Sequence, residues 1–146
     1  MQKQTNSPKP IRSLEDALDR CQILGMRVSR QRRFILELLW QVKEHLSARE
    51  IYDRLNQQGK EIGHTSVYQN LEALSSHGII ECIEHCDGRL YGNNSYPHSH
   101  INFTDTNRIL DVSVELPEAF IRQVESQTGT KITSYTINFY GNSNEL

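Results

Sequence analysis

The sequence lacks long hydrophobic runs and a strong excess of either charge. No apolar run approaches the roughly 20 residues that a membrane-spanning helix needs, and residues 1–10 contain no apolar segment typical of a signal peptide. We therefore expect a soluble, cytoplasmic protein with no membrane partner. Its 146 residues, of which 36% are hydrophobic and 23% charged, are typical of a folded chain with one ordinary domain or two small ones.

Cysteine is scarce, and its spacing excludes one kind of metal site. The three cysteines are Cys21, Cys82 and Cys86, and none belongs to a C-x-x-C pair, so we expect neither a four-cysteine structural zinc nor a disulfide framework. Cys21 fits a small buried residue. Cys86, beside His85, is interpreted as a redox thiol, a disulfide partner between chains, an additional soft metal ligand or an inert surface thiol.

Charge is distributed unevenly along the chain, although the net charge is only −2. Residues 1–91 hold 13 Lys and Arg against 12 Asp and Glu, whereas residues 92–146 hold 3 against 6. Four of the basic residues fall within seven positions, and these are Arg27, Arg30, Arg32 and Arg33. A local basic patch binds phosphate even on a slightly acidic protein; a solvated basic end of a helix is the alternative.

Residues 13–91 read as helices followed by a hairpin, after a flexible arm over residues 1–12. Three serines are predicted helix caps, and these are Ser13 (with Asp16), Ser29 and Ser47 (with Glu50). The helices that they open carry apolar residues at helical spacing, and the first and third end at Gly25 and Gly59.

The stretch 63–78 predicts a fourth helix. Thr65 or Ser66 is expected to cap it, and Gly78 to end it in the left-handed conformation. Its apolar residues repeat at helical spacing, and these are Val67, Leu71 and Leu74. The opposite face carries neutral hydrogen-bonding side chains, namely His64, Ser66, Gln69 and Asn70, with Tyr68 beside them. Such a face suits base-pair edges; an amphipathic helix with a solvated polar face is the alternative.

A helix, a short turn containing glycine and a helix with a polar face indicate a helix-turn-helix. Alternation over residues 79–84, the turn signal Asp87-Gly88 and a returning strand at 89–91 predict a hairpin. This hairpin would be the wing of a winged-helix domain over residues 13–91, with Arg89 near DNA phosphate.

Beyond a hinge at residues 92–97, residues 98–146 predict an α/β dimerisation domain, which makes the whole chain α+β. We expect strands around 101–103 and at 109–114, a helix from Pro117 to Gly129 and a long strand over 132–140. About fifty residues bury little surface alone, so we expect pairing with a second copy, by joined sheets.

His98-Ser99-His100 is the sharpest chemical signal. In a strand, residues i and i+2 point to one side, so both imidazoles could meet one ion. His45 lies just before a helix cap, and Asp111 lies inside an apolar strand, where a charge is costly unless it is paired or coordinated. Two or three imidazoles and a carboxylate suit Fe²⁺, Mn²⁺ or Zn²⁺; a surface pair without metal is the alternative. A small metalloenzyme is less favoured, because no general base or nucleophile accompanies the histidines.

From about Gly25 to Gly141 the sequence resembles the ferric uptake regulator (Fur) superfamily of bacterial repressors, and within it the cyanobacterial peroxide-responsive (PerR-type) branch. The segments that carry the resemblance are Met26-Arg27-Val28-Ser29-x-Gln31-Arg32, His45-Leu46-Ser47-Ala48-x-Glu50-Ile51-Tyr52, Gly63-x-Thr65-Ser66-Val67-Tyr68-x-Asn70-Leu71 and Phe139-Tyr140-Gly141. The resemblance implies a homodimer or higher oligomer that binds an inverted-repeat operator in double-stranded DNA. It also implies a regulatory metal at the hinge.

The resemblance assigns roles by position. The implied metal ligands are His45, His98, His100 and Asp111, and the residues expected at DNA are Arg27, Arg32, Thr65, Ser66, Tyr68, Gln69 and Arg89. Tyr68 and Gln69 would read bases, and Arg27 would enter the minor groove. An aspartate at position 111 is associated with peroxide sensing, in which bound Fe²⁺ leads to oxidation of His45 or His98. An iron or zinc sensor without a peroxide response is the alternative.

Three departures from the family pattern concern metals. The cysteine pairs of the family's structural zinc are missing, with Phe103 and Thr106 at the first of them. A carboxylate expected near Gly92 is absent, and Asn93, Asn94, Cys86 or water would replace it. The auxiliary site found in some members is also expected to be absent, because its positions hold Pro97, Ser99 and Tyr135 with only Glu118 left.

Overall fold

The computed structural model describes residues 10–42, 44–85, 88–93 and 99–143, and the chain divides into two compact units. Unit 1 comprises Met1–Val42 and Leu46–Tyr96, and unit 2 comprises Lys43–His45 and Pro97–Leu146. Helices and strands occur in both units, which confirms the predicted α+β class. Within the described ranges, no helix is both long and apolar enough to cross a membrane.

Serine caps begin the first three helices of unit 1. The four helices are α1 (Leu14–Ile23), α2 (Arg30–Gln41), α3 (Ala48–Gln57) and α4 (His64–Ser76). The predicted caps are present: the hydroxyls of Ser13, Ser29 and Ser47 each accept a bond from the backbone N–H three residues on. Ser47 and Glu50 form the reciprocal capping box. The Asp16 carboxylate, expected to bond back to the N–H of Ser13, instead accepts from the N–H of Arg12. These local bonds satisfy N–H groups that an uncapped helix would leave without partners.

The predicted cap of α4 is wrong by two or three residues. The helix begins at His64 behind Gly63, which adopts an extended conformation without a side-chain cap. The Ser66 hydroxyl instead donates to the side-chain oxygen of Gln31 on α2. This expected capping group therefore forms a hydrogen bond between helices. The predicted end is correct, because Gly78 has φ +72°, a conformation that costs glycine little.

Apolar stripes of the four helices form the core of unit 1. The fully buried side chains of these helices include Ile35, Leu36, Leu39, Ile51, Leu55, Leu71 and Leu74. Each such side chain contributes about 1.5–3 kcal/mol relative to exposure. Asn70 was expected on the exposed face of α4, and this is wrong: only 8% of it is exposed.

An antiparallel sheet in the order β1-β3-β2 completes unit 1. Its strands are β1 (Leu46–Ser47), β2 (Glu81–His85) and β3 (Gly88–Gly92). The predicted hairpin is present, with Glu81 opposite Gly92 and His85 opposite Gly88, but β2 begins two residues later than the predicted strand over 79–84. Asp87 of the predicted turn lies outside the described residues. Strand β1 was not predicted, because two residues show no periodicity and their partners in β3 lie far along the chain.

Unit 2 has the predicted order of strand, strand, helix and strand. The elements are β4 (Ser99–Phe103), β5 (Ile109–Val112), α5 (Glu118–Thr128) and β6 (Asn138–Gly141), and the sheet order is β5-β4-β6. Strand β4 pairs antiparallel with β5 and parallel with β6. Strand β5 ends two residues earlier than predicted.

The long last strand predicted over 132–140 is wrong, since β6 covers only Asn138–Gly141. Side-chain bonds occupy backbone groups on the approach to it. The N–H of Ile132 donates to the Glu125 carboxylate, and the N–H of Ile137 donates to the Ser99 hydroxyl. Alternating apolar residues thus continue before β6 without a strand ladder.

Candidate metal centre

Sheet register in unit 2 brings a histidine and a carboxylate together. His100 on β4 stands directly opposite Asp111 on β5. Opposite residues of an antiparallel pair project to the same face with about 4.5–5.5 Å between their Cβ atoms. The strand pairing therefore positions an imidazole and a carboxylate side by side.

A second histidine joins from the other side of β5. Glu44 forms an antiparallel bridge with Leu110, and the N–H of His45 donates to the carbonyl of Ile109 at 3.0 Å. His45 therefore lies opposite Ile109, two positions from Asp111 and on the same face of β5. Arg108 contacts the Glu44 carboxylate at 2.9 Å from its Nε and supports this short extension of the sheet.

The three side chains converge on one carboxylate oxygen. Oδ1 of Asp111 lies 3.4 Å from Nδ1 of His45 and 3.5 Å from Nε2 of His100. The two imidazole rings are 5.3 Å apart between centroids and nearly perpendicular, at 78°. The histidines are 4% and 7% exposed, whereas Asp111 is half-buried. We call His45, His100 and Asp111 the metal cluster.

The donor atoms of the metal cluster fit a single divalent ion. All of them lie within 4.8 Å of one another. Bonds of about 2.0–2.2 Å to imidazole nitrogen and carboxylate oxygen place two tetrahedral ligands about 3.4 Å apart, and the two measured separations agree with this value. Imidazole nitrogen with carboxylate oxygen suits Fe²⁺, Mn²⁺ and Zn²⁺ alike.

Several residues predicted near the metal lie outside the described residues. Of the four expected ligands, the structure brings His45, His100 and Asp111 together, and His98 is outside. Cys86 and Asn94 are outside as well. Burial raises the pKa of the Cys21 and Cys82 thiols, which lowers their content of thiolate, the reactive form.

The residues expected at DNA occupy different environments in unit 1. Those exposed to solvent are Arg27, Thr65, Tyr68, Gln69 and Arg89. Tyr68 is 56% exposed although it is a large aromatic residue. Arg89 lies 3.8 Å from the Glu84 carboxylate across the hairpin. Ser66 and Arg32 are half-buried, and both form hydrogen bonds between helices.

Helices α2 and α4 share a polar contact that the hydrophobic pattern of the sequence does not predict. Arg32 donates to the side-chain oxygen of Asn70 at 2.8 Å. The signal was present, because position 70 follows Val67 by three and precedes Leu74 by four, which places it beside the apolar stripe. An amide at such a position indicates a buried polar residue with a specific partner.

The fold and the cluster define an α+β protein with a candidate site for a divalent transition metal. Residues 24–140 match the model of the ferric uptake regulator family, and the chain belongs to that family. This membership makes it a metal-sensing transcription regulator.

Curated relatives match most of the chain. The zinc uptake regulation protein of Mycobacterium tuberculosis is 29% identical over 119 residues, which are 80% of this chain and 92% of that protein. The ferric uptake regulation protein of Vibrio anguillarum is 30% identical over 120 residues, which are 80% of each. Both relatives are named as regulation proteins of metal uptake.

Solved structures show the same fold. The ferric uptake regulator of Helicobacter pylori superposes with a TM-score of 0.72 at 26% identity, over 94% of this chain and 95% of that one. That protein is described as having three functional metal binding sites.

Proposed function

We propose that the protein is a dimeric, metal-dependent DNA-binding repressor. Unit 1 is the winged helix-turn-helix domain that binds an inverted-repeat operator, and unit 2 is the dimerisation and metal-sensing domain. The observation that carries the proposal is the metal cluster, which joins two strands of unit 2 to His45. Because His45 is bonded directly to Leu46 of β1, ligation in unit 2 is linked through the chain to unit 1.

The exposed face of α4 supports the DNA-binding part of the proposal. Tyr68 and Gln69 project to solvent while the next residues, Asn70 and Leu71, are buried. Tyrosine and glutamine offer donors and acceptors that match base edges in the major groove. Arg27 before α2 and Arg89 on the hairpin are exposed cations, and we assign them to phosphate or the minor groove.

The metal part of the mechanism is a shift of population. A bound divalent ion would supply positive charge that holds the imidazoles and the carboxylate together. The metal cluster stabilises the DNA-binding form if its ligands are better arranged in that form than in others. Without the metal, this preferential stabilisation is lost and the population shifts away from the DNA-binding form. The protein would then release the operator.

Exposed apolar side chains support dimerisation through unit 2. Helix α5 buries none of its residues, and Phe120 and Val124 on it are exposed. Phe139 and Tyr140 on β6 are exposed too. Strand β6 lies at an edge of its sheet, where unpaired backbone groups favour further pairing. A second copy of unit 2 would cover these groups.

Chelation is expected to weaken operator binding. With Mn²⁺, the protein should bind a duplex selected from a random-sequence library at least about tenfold more tightly than with a chelator, a typical size for coupling between two sites. Fluorescence anisotropy with labelled duplex measures both affinities. His100→Ala should abolish the difference, and Asp105→Ala, an exposed carboxylate at the β4–β5 turn, should keep it. Wild-type affinity that is the same with and without metal would rule out the metal switch.

A peroxide-responsive repressor is the second candidate, favoured by the aspartate in the metal cluster. The Asp111 carboxylate contacts both described histidine ligands. The raised pKa values of the Cys21 and Cys82 thiols disfavour these two cysteines as peroxide sensors. The relatives are named for zinc and ferric uptake. A regulator of metal uptake without a peroxide response therefore fits the comparisons at least as well.

Peroxide treatment separates these two candidates. For a peroxide sensor we expect protein loaded with Fe²⁺ to lose operator binding on treatment, whereas protein loaded with Mn²⁺ keeps it, because Fe²⁺ readily reduces peroxide. Mass spectrometry of peptides should then show one added oxygen atom on His45 or His98. Equal resistance of both forms favours a metal-uptake regulator, and oxidation confined to Cys86 favours a thiol sensor.

A further inference from the structure

A chain of side-chain hydrogen bonds connects α2 to α4 in unit 1. Nε of Arg32 donates to Oδ1 of Asn70 at 2.8 Å, and Nδ2 of Asn70 donates to the carbonyl of Ser66 at 2.8 Å. The Asn70 amide therefore uses its acceptor toward α2 and its donor within α4. The Ser66 hydroxyl adds a second connection, to the Gln31 side chain.

The position of Asn70 shows that these hydrogen bonds lie within the interface between α2 and α4 rather than on the exposed surface. The residue is 8% exposed, and its neighbours Val67 and Leu71 are fully buried. A leucine there would bury more apolar surface, but apolar contact is non-directional. A guanidinium with its fixed donors, bonded to a carboxamide, instead defines how the two helices are oriented.

The same guanidinium also holds the backbone before α2. Nη1 of Arg32 donates to the carbonyl of Arg27 at 2.9 Å, and the Arg27 side chain is exposed. Arg32 itself is half-buried. One side chain thus bonds the segment that presents Arg27 and the helix that presents Tyr68 and Gln69.

We infer that Arg32 and Asn70 form a positioning pair that sets the reading helix α4 relative to Arg27 and thereby determines operator affinity. This inference rests on the proposed DNA-binding function. It gives Arg32 a role through Asn70 and Arg27 rather than as a contact to phosphate. It also gives the largely buried Asn70 a role in DNA recognition.

Salt dependence distinguishes a positioning pair from a phosphate contact. The probe is a duplex selected from a random-sequence library by the wild-type protein with Mn²⁺. We expect Asn70→Ala and Arg32→Lys each to lower affinity for this duplex about tenfold, the usual effect of one lost hydrogen-bonded contact to a charged group. The slope of log affinity against log salt should stay unchanged, because neither substitution removes a charge.

Two further variants test the connection between the residues. Asn70→Asp keeps the acceptor for Arg32 but cannot donate to the Ser66 carbonyl and adds a negative charge, so it should restore only part of the affinity that Asn70→Ala loses. The double variant Arg32→Lys with Asn70→Ala should lose less affinity than the sum of the two single losses, because the bond between Arg32 and Asn70 can be lost only once. Metal affinity and the thermal unfolding midpoint, measured in parallel, show whether each variant is folded.

Each outcome decides one point. If folded Asn70→Ala binds the duplex like wild type, or if Arg32→Gln lowers the salt slope by about one as a lost phosphate contact does, the positioning role is wrong. If the wild-type protein selects no duplex at all, the proposed DNA-binding function fails first. Equal losses for the selected and an unrelated duplex would also overturn the inference, since positioning of α4 affects specific binding.

Discussion

Replacement of Asp111 with alanine is expected to lower the affinity for Mn²⁺ by at least about 100-fold, the upper effect reported for residues that only support a metal ligand. Oδ1 of Asp111 is the atom that both His45 and His100 approach. Its loss removes one donor and also the negative charge that offsets the charge of the ion. Among the described residues, His45 and His100 would remain as ligands in a largely buried site without a compensating negative charge from Asp111.

Titration calorimetry with Mn²⁺ measures this loss directly. Asp105→Ala is the matched control, because Asp105 lies in the same unit but is exposed and accepts bonds from Ser143 instead. Asp111→Asn tests the charge alone, since the amide oxygen keeps a similar shape. Wild-type affinity in Asp111→Ala, with circular dichroism showing a folded chain, would remove the metal cluster from the mechanism.

Local chemistry explains why most helices of this chain could be predicted from the sequence. A capping serine needs partners only three residues away, and the caps at Ser13, Ser29 and Ser47 bond as expected. Gly78 and Gly129 end their helices with positive φ, again a local property. The start of α4 could not be predicted in this way, because the Ser66 hydroxyl bonds to another helix.

Strands depend on partners far along the chain, and the errors in element bounds other than the start of α4 concern strands. The two residues of β1 are a strand only because β3 lies beside them. The stretch before β6 alternates like a strand, but Ser99 and Glu125 bond to its backbone groups instead. An alternating pattern shows which side chains are apolar. It does not show whether a neighbouring strand is available for backbone hydrogen bonds.

The candidate site was predictable in chemistry but not in geometry. The H-x-H pattern and an aspartate within an apolar strand indicate metal ligands from residue type alone. Their meeting depends on the register of β4 with β5, which sets His100 opposite Asp111. The position of His45 follows from one bridge, between Glu44 and Leu110, and no periodic pattern encodes a bridge.

Removal of the two exposed reading side chains should have the second large effect. We expect Tyr68→Ala combined with Gln69→Ala to lower affinity for the selected duplex at least about 30-fold, because each good base contact contributes about 1–3 kcal/mol. Affinity for unrelated DNA should change little, since both side chains are uncharged and non-specific binding depends on charge. Both side chains point away from the buried stripe of α4, so the core should remain intact.

Anisotropy titrations with the selected and an unrelated duplex, both with Mn²⁺, give the ratio of the two affinities, which measures specificity. Gln22→Ala is the control, because it removes an exposed glutamine from α1 of the same unit. An unchanged ratio in the double variant would assign base reading to another surface of unit 1. An equal fall for both duplexes would mean that α4 contributes general affinity rather than specificity. Only a selective fall supports α4 as the reading helix, and Mn²⁺ affinity measured on the same preparation shows that unit 2 is unaffected.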